Sequence, residues 1–140
     1  MIKSRIKQVC TYIFYSYSTD NDLLVKSILT DKEFKIFNEM SEYDKLHSFN
    51  LYKLVKNNKI LSNDIDYLKL ALLHDCGKEN FSLLRRIKKV LIGDKKIENH
   101  PKLAYKKLEN INKIVGELAL KHHLPPFDEK MKIFQQLDDK

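Results

Sequence analysis

With 140 residues, 43% of them hydrophobic and 32% charged, the chain is sized to bury one core but not two and is ordinary for a soluble globular protein. Only 3 glycines and 3 prolines disfavour a turn-rich β sandwich and predict long helices joined by short loops. A formal net charge of +7 suits an anionic substrate; the lysines are scattered rather than clustered, which argues against nucleic acid as the partner.

The N-terminus, MIKSRIKQVCTYIFYSYS, has a basic start and a short apolar stretch broken by Thr and Tyr. It lacks a small-residue cleavage site and falls short of the roughly 20 apolar residues of a spanning helix, so an amphipathic opening helix and no membrane are expected. Thr30 or Asp31 can cap a short helix carrying Phe34, Phe37 and Met40 on one face. Ser41 can cap the next, with His47, Leu51, Leu54 and Val55 on its inner stripe. Ser62, Asn63 or Asp64 precedes IDYLKLALLHDCGK, in which Leu68, Leu72 and Asp75 share a side. Further starts are Asn99 before HPKLAYKKL, Asn112 before KIVGELALKHH and Asp128 before EKMKIFQQLDD, with Gly77 and the Pro125-Pro126 pair as stops. Cys10 and Cys76 have no CxxC spacing, so no disulfide framework is expected and a reducing cytoplasm fits.

All five histidines lie between His47 and His123. His74-Asp75 ends an apolar run that must be buried, and a carboxylate there costs several kcal/mol unless paired or coordinated. A metal ion would meet that need, since imidazole and carboxylate are ordinary ligands and a carboxylate can bridge two ions; a helix end half open to water is the alternative. His47 lies on an apolar stripe, where alone it would count as core, and His100 opens its helix. His122 and His123 point about 100° apart on a helix, so both reach one cavity only near its end. Asp138 follows Ile133, Phe134 and Leu137 in the last helix, with Asp139 as its rival. Cys76 reads as a small buried residue rather than a thiolate. No Ser-His-Asp set, Cys-His set or Gly-rich phosphate loop stands out.

The series H47…H74-D75…H100…H122-H123…D138 resembles the HD-domain superfamily of metal-dependent phosphohydrolases. LKLALLHDCGK is similar to that family's apolar helix followed by HDxGK, LHSFNLYKLV to its first helix, and NHPKLAYKKL to its His-Pro helix start. The likeness spans about residues 40–139, beyond an N-terminal helical segment at 1–30. It implies an all-α fold, a single HD-domain bundle of five to seven helices. It also implies one metal held by His47, His74, Asp75 and Asp138, and a second held by His100, His122 and His123 with Asp75 bridging. Lys78 matches the family lysine that contacts substrate phosphate. Arg85 or Arg86 could add a phosphate contact or, equally, form a solvated patch with Lys88 and Lys89.

The expected cofactor is therefore two divalent ions, with Fe, Mn, Zn and Ni all open. The expected partner is a small phosphorylated substrate of nucleotide type, hydrolysed at a phosphomonoester, phosphodiester or phosphoanhydride bond. Where the cyclic-dinucleotide branch carries GYP, this chain has LPPFDEKMK, and Tyr43 replaces that branch's glutamate, so small stand-alone HD hydrolases look closer. An HD-type di-iron oxygenase and a catalytically silent regulatory or nucleotide-binding module remain the alternatives.

Overall fold

Short polar side chains set the helix starts. A computed structural model describes residues 16–78 and 99–139 together with Lys3, Ile6 and Lys7. After a 3-10 turn at Thr19–Asn21 come α1 (Asp22–Ile28), α2 (Asp31–Asn38), α3 (Glu42–Lys56), α4 (Ile65–Leu73), α5 (His100–Leu108), α6 (Lys113–Lys121) and α7 (Glu129–Asp138). The described residues hold no strand, so the architecture is all-α as expected. Of the expected opening helix only Lys3, Ile6 and Lys7 are described, and they are helical. Cys10, Arg85, Arg86, Lys88 and Lys89 lie outside the described residues. No helix of the described residues is long and apolar enough to cross a membrane.

Thr30 caps α2 through a capping box, with its Oγ1 accepting from the Glu33 N–H at 3.2 Å and the Glu33 carboxylate accepting from the Thr30 N–H at 2.8 Å. Ser41, Asp64, Asn112 and Asp128 each accept a backbone N–H at the head of α3, α4, α6 and α7. Asn99 precedes α5 without a side-chain cap bond, but Pro101 lies in the first turn, where its missing N–H leaves no partner wanting.

α4 forms the centre of the fold, and Leu70, Ala71, Leu72 and Leu73 are wholly buried within it. An apolar run on all sides means a helix surrounded by others, and α1, α2, α3 and α6 pack on it. α5 and α6, joined by residues 109–112, pack on each other, and α7 lies against α3. The one cation of α4, Lys69, is drawn to Glu33 at 2.8 Å. That carboxylate, 1% exposed, also accepts the Asn112 side-chain amide at 2.8 Å, so one acid joins α2, α4 and the cap of α6. Burial opposes its charge, but Lys69, the Thr30 N–H and Asn112 outweigh that and hold its pKa below the ordinary glutamate value.

The expected stripe of α3 needs one correction. Leu51 and Val55 are buried, but Leu54 is 38% exposed. Seven positions of helix return Leu54 to within about 20° of His47. The buried face is instead centred on Asp44, Ser48, Leu51, Tyr52 and Val55. His47 therefore stands on the border of that face, which lets its ring meet the interior while keeping a path outward.

Candidate metal centre

Two helix ends present their candidate ligands in the same way. His74 is the C-cap of α4, and its Nδ1–H donates to the Ala71 carbonyl at 3.0 Å. His122 is the C-cap of α6, and its Nδ1–H donates to the Ala119 carbonyl. The His74 ring thus satisfies a carbonyl of the last turn of its helix, and the His122 ring shares the Ala119 carbonyl with the His122 backbone N–H, which reaches it at 3.4 Å. The bond also fixes the tautomer, leaving Nε2 as the free ligand atom. His74 Nε2 is buried and has no hydrogen-bond partner among the described residues.

Around the His74-Asp75 turn the atoms converge from four further helices. His74 Nε2 lies 3.3 Å from Asp75 Oδ2 and 3.3 Å from Asp138 Oδ1. His47 Nε2 approaches Asp138 Oδ1 at 3.1 Å and Asp75 Oδ2 at 3.8 Å. On the other side, His100 Nε2 is 3.1 Å from Asp75 Oδ1, 3.4 Å from His122 Nε2 and 3.2 Å from His123 Nε2. Asp75, 2% exposed, thus turns Oδ2 to His47 and His74 and Oδ1 to His100. Lys78 Nζ sits 3.2 Å from that same Oδ2, with its side chain 18% exposed.

The donor set suits divalent cations. Within each of three groups the ligand atoms lie within 4.8 Å of one another: His47, His74 and Asp138; His74, Asp75 and His122; His100, His122 and His123. Two ligands each about 2.1 Å from a common ion stand roughly 3.0–3.4 Å apart at octahedral to tetrahedral angles, and the contacts above fall in or near that range. Facing imidazole lone pairs repel one another, and a cation between them removes the repulsion.

Charge tells the same story. Burial would lower the His74 pKa, but the Asp75 and Asp138 carboxylates raise it to about 10. Those two acids, whose burial would raise their pKa values, are held low by the His74 charge and by imidazole hydrogen bonds. Burial and neighbouring imidazoles push His122 well down and His123 to about 4. The inner pocket asks for positive charge, and His122 and His123 stay neutral, the state in which an imidazole can take a metal.

Seven expected ligands are therefore gathered in one place: His47, His74, Asp75, His100, His122, His123 and Asp138. Asp138 joins the cluster, and Asp139 is exposed. Lys78 reaches the cluster too. Cys76 is buried and its thiol is pushed up to about 12, chiefly by burial, as expected of a residue that packs rather than reacts.

Sequence reasoning read Gly77 only as a helix stop. A Cβ built there would stand 2.0 Å from the His100 carbonyl oxygen and 2.5 Å from the Ala104 nitrogen, both backbone atoms. The turn carrying His74 and Asp75 thus lies directly on the backbone of α5, and only glycine permits that approach. Lys107 of α5 adds a bond from Nζ to the Cys76 carbonyl at 2.9 Å, a contact that no sequence pattern announced.

No curated protein and no solved structure matches the chain. The family model of the HD domain matches residues 46–137, a stretch that holds His47, His74, Asp75, His100, His122 and His123 and ends one residue before Asp138. On this match the chain belongs to the HD domain family.

Proposed function

We propose that the protein hydrolyses a phosphate ester or anhydride, of nucleotide type, with two divalent cations. His47, His74, Asp75 and Asp138 would hold the inner ion. His100, His122 and His123 would hold the outer one, with Asp75 serving both. The observation that carries this reading is the division of the Asp75 carboxylate, one oxygen toward each histidine group. When bound, such ions supply Lewis acidity to a phosphoryl oxygen and bring the pKa of water close to neutrality.

The chain's own residues do the rest. The carbonyl-anchored rings of His74 and His122 keep their Nε2 atoms aimed without a reorganisation step. Phe134, wholly buried and edge-on to the His74 ring at 5.9 Å between centroids, closes the floor of the pocket to water. Lys78 at the partly exposed side holds a proton on Nζ and donates it in a hydrogen bond. Its partner is the Asp75 carboxylate at 3.2 Å, and a bound phosphate oxygen would compete for it once Asp75 is neutralised by cations. No nucleophilic side chain is required, in keeping with the inert Cys76 thiol.

The test is elemental analysis of the untreated protein, then a screen of nucleotides and chromogenic phosphodiesters with the metals found. About two ions per chain and phosphate-bond cleavage that His74→Ala abolishes are expected. Oxygen consumption with an organic substrate and no phosphate-bond cleavage would instead select a di-iron oxygenase.

A further inference from the structure

Outside the ligand set, one side chain reaches the His122-His123 turn from a different ligand-bearing helix. Gln135 of α7 donates from Nε2 to the His122 carbonyl at 3.1 Å and to the Leu124 carbonyl at 2.7 Å. Its assignment is unambiguous in chemistry: two carbonyl acceptors call for the amide nitrogen, which carries two N–H groups for them. These acceptors bracket His123. Pro125 and Pro126 follow, and neither brings an N–H with which to fasten the chain. Asp138 stands three residues beyond Gln135 on the same helix, a neighbouring position on its surface.

We infer that Gln135 is the positioning residue for the outer group of ligands, fixing the His122-His123 turn to the helix that carries Asp138. It touches neither ion nor substrate. Its two bonds set where the His123 backbone lies relative to α7, and hence the separation between the Asp138 side of the pocket and the outer imidazoles. His122 has a second anchor in its ring bond to Ala119, whereas the exposed His123 has no such bond among those described, so its placement depends more on the turn. Lost ligand support of this kind typically weakens metal affinity about 10–100-fold.

This inference rests on the two-ion reading, and the test separates the two. Metal-free wild type, Gln135→Met and His123→Ala are titrated with Co2+, following uptake by calorimetry and by the visible ligand-field bands. Gln135→Met keeps the length of the side chain and removes both donors. Wild type should take two ions. Gln135→Met should weaken the same ion that His123→Ala weakens, by about 10–100-fold, with altered bands for that ion and unchanged binding of the other. Two ions bound by Gln135→Met as tightly as by wild type, with the same bands, would overturn the positioning role. Equal weakening of both ions would also overturn it, pointing to general loosening of α7. Fewer than two ions on the wild type would sink the two-ion reading itself, and Gln135 with it. Gln135→Glu, which sets a carboxylate against two carbonyls, should reproduce the loss; full affinity in that variant counts against the inference.

Discussion

Asp75 and Lys78 stand 3.2 Å apart yet have separable duties on the proposed arrangement. Asp75→Ala removes the one carboxylate shared by both histidine groups, so both ions and all hydrolysis should disappear together. Lys78→Ala should retain the metal content and lower kcat/KM by about 100-fold, the usual scale for one lost charge-stabilising donor. Metal analysis beside kinetics decides it, and equal metal loss in the two variants contradicts the division. At this scale His47, His74, Asp75 and Asp138 were legible because each sits in an apolar pattern as a group that burial punishes, whereas His100, His122 and His123 were legible through the resemblance of the whole series to HD domains. Gln135, Lys107 and the second duty of Gly77 were not legible. Their partners are backbone carbonyls and backbone atoms of other helices, which a one-dimensional pattern does not register.

Helix ends do most of the positioning. Gly77 lets the turn after α4 rest on α5, so Gly77→Ala must push α5 outward by a substantial fraction of an atomic diameter. We expect a loss of about 3 kcal/mol in urea unfolding and a weaker outer ion, since His100 heads the displaced helix. Wild-type stability with wild-type metal uptake would contradict the close approach. The Glu33 node makes a second prediction. Glu33→Gln removes the charge that Lys69 faces in a site with little water, at a cost of about 3 kcal/mol. Because the folded-state pKa of Glu33 is depressed, the stability it confers is present in full above its ordinary value of 4.5 and is lost as the pH falls through the folded value. The gap between wild type and Glu33→Gln should therefore shrink below about pH 4.5 and be constant above it. Caps were read from sequence with choices still open, and geometry chose Thr30 and Asp64. The α3 stripe was misread at Leu54 because a seven-residue spacing keeps two positions on one edge of a helix without telling which side of that edge is buried.

For the whole molecule, the candidate ligands come from α3, α5 and α7 and from the C-terminal turns of α4 and α6, so the proposed ions would tie five helices together. Anything that binds the folded form alone stabilises it, by about 2.7 kcal/mol at 100 times its dissociation constant. Removing the ions with a chelator should lower the melting temperature by about 10 °C for a domain of this size, and re-addition should restore it. An unchanged transition in scanning calorimetry would contradict metals as staples. The all-α class was legible from the scarcity of Gly and Pro and from the repeated caps. How α5, α6 and α7 converge was not, because residue spacing alone does not fix the angles between helices.

His74 is wholly enclosed, and His123 is open to solvent. If each marks its own ion, the two occupants live in different worlds. The deep one is shielded from scavenging molecules, and the shallow one trades with its surroundings. Starvation for the metal would then empty the shallow seat first and silence the protein without unfolding it, so its output would follow the local supply of that ion.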